Sequence, residues 1–202
     1  MALKVTVFSD YICPFCYIGK ARIDKLQKEF DLDVEWKGFE IHPETPSEGQ
    51  TLEELGMSKD YIEMSKRNVE NLAKDANLDL RKRQKISNSN LALRITEFAK
   101  ERGKFNEFHN RIFRSYWQEG KNIGDFEILF DIIEEIGLYK DDLKRYLKSD
   151  KSKEKLDIYL KEVRDRGVTG VPTFIVGDTL VVGAQPYEEL KKVTQKELAK
   201  RS

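Results

Sequence analysis

Residues 3 to 8, LKVTVF, set Leu3, Val5 and Val7 against Lys4, Thr6 and Phe8, and this short β-branched alternation predicts a strand. At Pro14 the period changes. Proline is favoured in the first turn of a helix, and Ile18, Ala21, Ile23, Leu26 and Phe30 follow it at helical spacing. Leu32, Val34 and Trp36 then return to period two. Strand, helix and strand fill the first 40 residues, the βαβ opening of an α/β domain.

HPETPSEGQ breaks the pattern with two prolines and a glycine near residues 42 to 50. Beyond it the chain reads as helical for about a hundred residues by its 3.6-residue periodicity. Thr51 and Glu54 have the spacing of a capping box, and Leu72, Ala73, Ala76 and Leu78 continue the helical region. Ser87 to Asn90 can cap a helix carrying Leu91, Leu93, Ile95, Phe98 and Ala99, with Gly103 as its stop. Phe105, Phe108, Ile112, Phe113, Tyr116 and Trp117 mark another, ending near Gly120. Asp125 can cap a third, running to Gly137. Two further helical patterns lie around 143–147 and 156–163. The period then shortens again. Thr173 to Val176 and Leu180 to Val182 read as a hairpin turning at Gly177-Asp178, and Pro186 opens a last helix. The order predicts one sheet domain built from residues 1–44 and 150–202, with residues 45–149 inserted as a helical domain.

Charge narrows the function. Lysine and arginine number 36, aspartate and glutamate also 36, so the formal net charge is zero. Nucleic-acid and anionic-membrane binders carry a basic excess, and neither class of partner is expected here. No stretch approaches the ~18 apolar residues of a membrane span. MALKVTVFSD lacks the apolar segment of a signal peptide and runs straight into a strand pattern, which predicts a cytoplasmic protein. Stable structural disulfides are rare in that compartment.

Both cysteines of the chain, Cys13 and Cys16, fall in SDYICPFCYIGK, between the first strand and the first helix. At a helix N-terminus the unpaired N–H groups and the dipole favour a thiolate, which is the form that attacks disulfides. Cys16, one turn on, faces inward and can resolve a mixed disulfide formed at Cys13. Phe15 between them carries no charge, so the pair is expected to fall short of the strongest oxidants. Two other readings of the pair remain. A closed zinc site needs four ligands, and the chain's two histidines, His42 and His109, lie far apart in unrelated segments. Two buried small residues are the other, against which Pro14 and the flanking strand and helix weigh.

GVTGVPTF supplies a second feature. Pro172 stands just before the Thr173 strand, where a residue without an N–H is tolerated. A cis bond there would bend the chain and free the backbone of Val171 to pair with an extended substrate. CPFC after a strand, together with GVPTFIVGDTLVVGAQPYEEL near the end, resembles the thioredoxin superfamily in its DsbA-like branch. FEIHPE and the segment NSNLALRITEFAKERGKFNEFHNRIFRSYWQEGKNIGD are most similar to the cytosolic FrnE-type proteins, and the likeness spans nearly the whole chain. This resemblance implies an α/β thioredoxin fold with a large helical insertion. It implies a thiol-disulfide oxidoreductase with Cys13 as nucleophile, Cys16 as resolving cysteine and Pro172 as a cis-proline facing them. Phe15, Val171 and Tyr17 are then the candidates for substrate contact.

A second function comes from the same resemblance. Kappa-class glutathione transferases and 2-hydroxychromene-2-carboxylate isomerases share this architecture, typically with serine in place of Cys13 and no second cysteine. The kappa-class enzymes hold glutathione with an acidic and a hydroxyl residue after the hairpin, where this chain has Gly183-Ala184-Gln185. The expected partner is a protein or small-molecule thiol or disulfide, with glutathione as a candidate co-substrate and no bound cofactor or metal. The chain is expected as a monomer or homodimer. The aromatic run from Phe105 to Trp117 reads as core, and His109 beside it as a surface or satisfied histidine. His42 has no visible partner. Asn88 and Asn90 read as cap residues with access to the groove between domain and insert, and Arg81, Lys82, Arg83 and Lys85 as a solvated basic face.

Overall fold

The computed structural model describes residues 2–201. The first 40 residues form β1 (Leu3–Ser9), α1 (Pro14–Leu26) and β2 (Leu32–Gly38). Six helices follow: α2 (Lys59–Asp75), α3 (Asn90–Glu101), α4 (Phe105–Trp117), α5 (Phe126–Glu135), α6 (Lys140–Lys148) and α7 (Lys151–Asp165). β3 (Thr173–Val176), β4 (Thr179–Val182) and α8 (Tyr187–Ala199) close the chain. The sheet draws strands from both ends of the sequence in the order β2-β1-β3-β4. β1 pairs parallel with β2, and β3 runs antiparallel to both β1 and β4. This is the α/β thioredoxin fold with a helical insertion.

Period two along β1 sorts its side chains onto two cores. Leu3, Val5 and Val7 meet Ile23 and Leu26 of α1, Phe174 of β3 and Leu190 of α8. Phe8 points the other way, to Val163 of α7 and Ile175 of β3. The sheet is therefore apolar on both faces, as a sheet with helices on each side must be. The largest core lies between the insert and the start of α1. There Tyr11, Ile12, Cys13, Cys16 and Tyr17 are buried with Leu93, Phe98, Phe108, Ile112, Phe113 and Tyr116. The expectation that the aromatic run of α4 is core holds: Phe108, Ile112, Phe113 and Tyr116 are fully buried.

Three local expectations differ from the structure. Thr51 and Glu54 do exchange both capping bonds, at 2.7 and 3.1 Å, but they close a turn and not a helix. α2 starts at Lys59 behind Ser58, whose hydroxyl accepts the Tyr61 N–H, because a capping box supplies donors' partners without supplying an apolar face to hold the helix down. α1 ends at Leu26, and Phe30 follows it in the turn toward β2. The helical stretch is also interrupted over residues 76–89, which form turns and coil, with Gln50 bridging to Ile86.

Candidate active site

Cys13 is the N-cap of α1, with extended backbone angles and Pro14 directly behind it. Its carbonyl accepts the N–H groups of Cys16 and Tyr17, at 3.1 and 3.4 Å. No acidic side chain occupies the first turn of α1, so nothing there offsets the positive end of the helix. Pro172 follows a cis peptide bond and is buried, and the Val171 carbonyl oxygen lies 3.7 Å from Cys13 Sγ. Two sequence features 158 residues apart thus face each other. Gly19 makes this approach possible. A Cβ at that position would stand 2.8 Å from Phe174 Cζ and 3.3 Å from Pro172 Cγ.

Cys13 and Cys16 are both free thiols here, 5% and 0% exposed. Burial, and then the hydrogen bond to Cys13 and its charge, push the Cys16 thiol well above the ordinary cysteine range. The Asp10 N–H and the Ser9 side chain pull it back less strongly.

Phe15 and Val171 are half-buried and packed against the insert core. Tyr17 is not a surface contact. Its ring stacks on Phe113 at 5.0 Å and 9°, and its hydroxyl accepts from Gln118 at 3.1 Å, so it binds α1 to the insert. His109 is not on the helix surface either. It is buried among Trp36, Phe105 and Phe113, with Nδ1 paired to Tyr11 Oη at 3.1 Å and Nε2 without a partner. Burial, and then the charges of Lys20 and Lys100, hold its pKa well below the usual histidine value. His42 does have a partner, Glu44, at 3.5 Å. Arg83 leaves the solvated basic face to lie 3.8 Å over the Tyr116 ring and donate to the Tyr116 carbonyl.

Sequence reasoning missed Asp10. It is fully buried, and its carboxylate accepts Ile12 N–H at 3.3 Å, Ile41 N–H at 2.9 Å and the Ser89 hydroxyl at 3.0 Å. Burial raises its pKa to about 6 against those three bonds. The bond to Ile12, two residues on, is the Asx-turn pattern legible in a sequence. The bonds to Ile41 and Ser89 are not. Ser89 belongs to a run whose side chains reach the segments around β2: Asn88 donates to the Thr45 carbonyl and Asn90 to Glu40.

After the hairpin, Arg22 of α1 donates to the carbonyls of Ala184 and Gln185 at 2.7 and 2.6 Å. That loop is thereby tied to the helix that carries the cysteines. Among the described residues, no three histidine, cysteine or acidic side chains gather into a metal-binding group, and no helix is long and apolar enough to cross a membrane.

Comparison with known proteins follows the same lines. The chain is 32% identical over 204 residues to the uncharacterized protein YwbO of Bacillus subtilis (strain 168), with all of both chains covered. It superposes on a probable DsbA oxidoreductase, SCO1869, from Streptomyces coelicolor with a TM-score of 0.87 and 26% identity, over 99% of this chain and 92% of that one. A 2-hydroxychromene-2-carboxylate isomerase shares the fold at a TM-score of 0.82 and 19% identity, over 98% and 97% of the two chains. Residues 4–195 match the family model of the DSBA-like thioredoxin domain, and with a cysteine pair capping α1 opposite a cis-proline, the chain belongs to that family of oxidoreductase-type enzymes.

Proposed function

We propose that the protein exchanges thiols and disulfides through Cys13 and Cys16, on protein or small-molecule substrates docked at the Val171-Pro172 face. One observation carries the reading: Cys13 caps α1 with Pro14 behind it, and its sulfur lies 3.7 Å from the carbonyl oxygen of Val171, which a cis bond joins to buried Pro172. In the reducing direction the Cys13 thiolate attacks one sulfur of a substrate disulfide. The substrate S–S bond breaks, one substrate thiolate leaves, and Cys13 holds the other half as a mixed disulfide. Cys16, as thiolate, then attacks Cys13 Sγ; the intramolecular disulfide forms and the second substrate thiolate departs. Two electrons pass from the protein to the substrate, and the oxidising direction is the reverse. Val171, beside Pro172, offers its backbone to an extended substrate, and Phe15 offers apolar contact.

Within the family we place the chain in the FrnE-type subgroup, on YICPFCYIGK and FEIHPE, and in the cytosol. Glutathione is the proposed small-thiol co-substrate. Isomerase or transferase chemistry on glutathione is the weaker reading, since the segment Gly183-Ala184-Gln185 has no acid or hydroxyl and two of its carbonyls are taken by Arg22. Insulin reduction and scrambled-ribonuclease refolding with the wild type, Cys13→Ser and Cys16→Ser test the proposal. Both activities should vanish in Cys13→Ser. Their survival there would overturn the reading, and glutathione conjugation persisting in Cys16→Ser would favour the alternative.

A further inference from the structure

The end of β1 is built to receive negative charge on a buried sulfur. Side chains alternate along a strand, and Leu3, Val5 and Val7 all face α1, so Ser9 shares their face, beneath Cys16. The amide of Asp10 donates to Cys16 Sγ at 3.4 Å, and Ser9, buried on the same face, eases the Cys16 thiol back toward its ordinary range. Ser9, Asp10 and Cys16 are all buried, where a hydrogen bond to an anion gains strength from the absence of competing water.

The Asp10 amide is held in that direction from every side. Its carbonyl accepts the Cys13 N–H at 3.2 Å, and its carboxylate takes Ile12, Ile41 and Ser89. Each polar group of the residue is therefore engaged, by the start of α1, the segment after β2 and the N-cap of α3. The contact at Cys13 Sγ is of the opposite kind, with a carbonyl acceptor, Val171 O. Donors lie at the deeper sulfur, whose burial opposes its thiolate.

We propose that the Ser9 hydroxyl and the Asp10 amide are positioning donors that stabilise the Cys16 thiolate and so set the rate of the resolving step. The inference rests on the thiol-disulfide reading above. In the step concerned, the Cys16 thiolate bonds to Cys13 Sγ, the bond from Cys13 to the substrate sulfur breaks, and the substrate leaves as a thiolate. The negative charge thus begins on Cys16 and ends on the leaving sulfur. In the reverse step Cys16 is the leaving group, and the same donors meet the charge as it appears.

One equivalent of 5,5′-dithiobis(2-nitrobenzoate) added to the fully reduced protein separates the two steps. Attack by Cys13 releases the first coloured thiolate, and resolution by Cys16 releases the second. Ser9→Ala should slow the second release about five- to tenfold, the loss of one hydrogen bond in the transition state, and leave the first unchanged. Ser9→Thr should restore it. Ser89→Ala frees one side of the Asp10 carboxylate and should slow the second release less. A Ser9→Ala variant that changes both releases by one factor, or neither, overturns the inference. A wild type that forms no Cys13–Cys16 disulfide, read by mass, overturns the thiol-disulfide reading itself.

Discussion

Gly19 lies against Phe174 so closely that a Cβ would stand 2.8 Å from the ring's Cζ, with Pro172 Cγ at 3.3 Å. Glycine within a helix costs about 1 kcal/mol relative to alanine. Here it lets α1 settle onto β3 and brings Cys13 to the cis-proline. Gly19→Ala should therefore destabilise the fold, by about 1–3 kcal/mol of overpacking, despite the gain in helix propensity. Urea denaturation measures it. An alanine variant as stable as the wild type would mean that α1 can shift without cost.

Cys16 has no exposed surface and its thiol is held well above the ordinary range, while Cys13, 5% exposed, caps the N-terminus of α1. Iodoacetamide at neutral pH should add one group to the native reduced protein, at Cys13, and two after unfolding. Peptide mass mapping identifies the site. Modification of Cys16 first would reverse the order of the pair.

The carboxyl of Asp10 is raised from 3.8 to about 6. A folded-state pKa above the unfolded one means that the protonated group favours the fold. That contribution is complete below about pH 4 and is lost as pH rises through about 6, a difference of about 3 kcal/mol at ~1.36 kcal/mol per unit. Asp10→Asn cannot titrate. Its unfolding free energy should gain on that of the wild type between pH 4 and 7, whatever constant offset the lost bonds impose. Parallel curves would show that the burial of Asp10 is relieved by solvent.

His109 has the opposite sign. Its pKa is depressed, so its contribution is present above about 6.5 and is lost as pH falls below that value, when the unfolded chain takes up a proton the buried ring resists. The cationic side chains Lys20 and Lys100 add to that resistance. His109→Phe keeps an aromatic ring among Trp36, Phe105 and Phe113 and removes the titration. The variant should lose less stability than the wild type between pH 7 and 5. An equal loss in both proteins would exclude His109 as the source.

Phe15 adds no charge beside Cys13. The reduction potential of the Cys13–Cys16 pair should then lie between those of a strong oxidant and a strong reductant, about −120 and −270 mV. Equilibration with glutathione buffers measures it. Phe15→His should raise the potential, since a cation there stabilises the reduced thiolate. An unchanged value would show that the intervening side chain points away from the sulfur.

Much of this was legible in the chain itself. The periods of two and 3.6 place β1, β2, the hairpin and the helices, though not the end of α1 at Leu26 nor either end of α2. Pro14 marks Cys13 as a helix cap, because proline tolerates only the first turn. Such signals are local, carried by neighbours in sequence and by the backbone preferences of single residues. The facing of Cys13 and Val171 could be anticipated only through resemblance, and Asp10 only in its bond to Ile12. What tertiary structure alone decided is which polar groups are taken out of water, and with whom. Folding set Ser89 and Ile41 on the carboxylate of Asp10, aimed its amide at Cys16, stacked Tyr17 on Phe113 and enclosed His109 in aromatic rings. Each of these depends on desolvation and on contacts between segments many residues apart, and neither quantity has a period along the sequence.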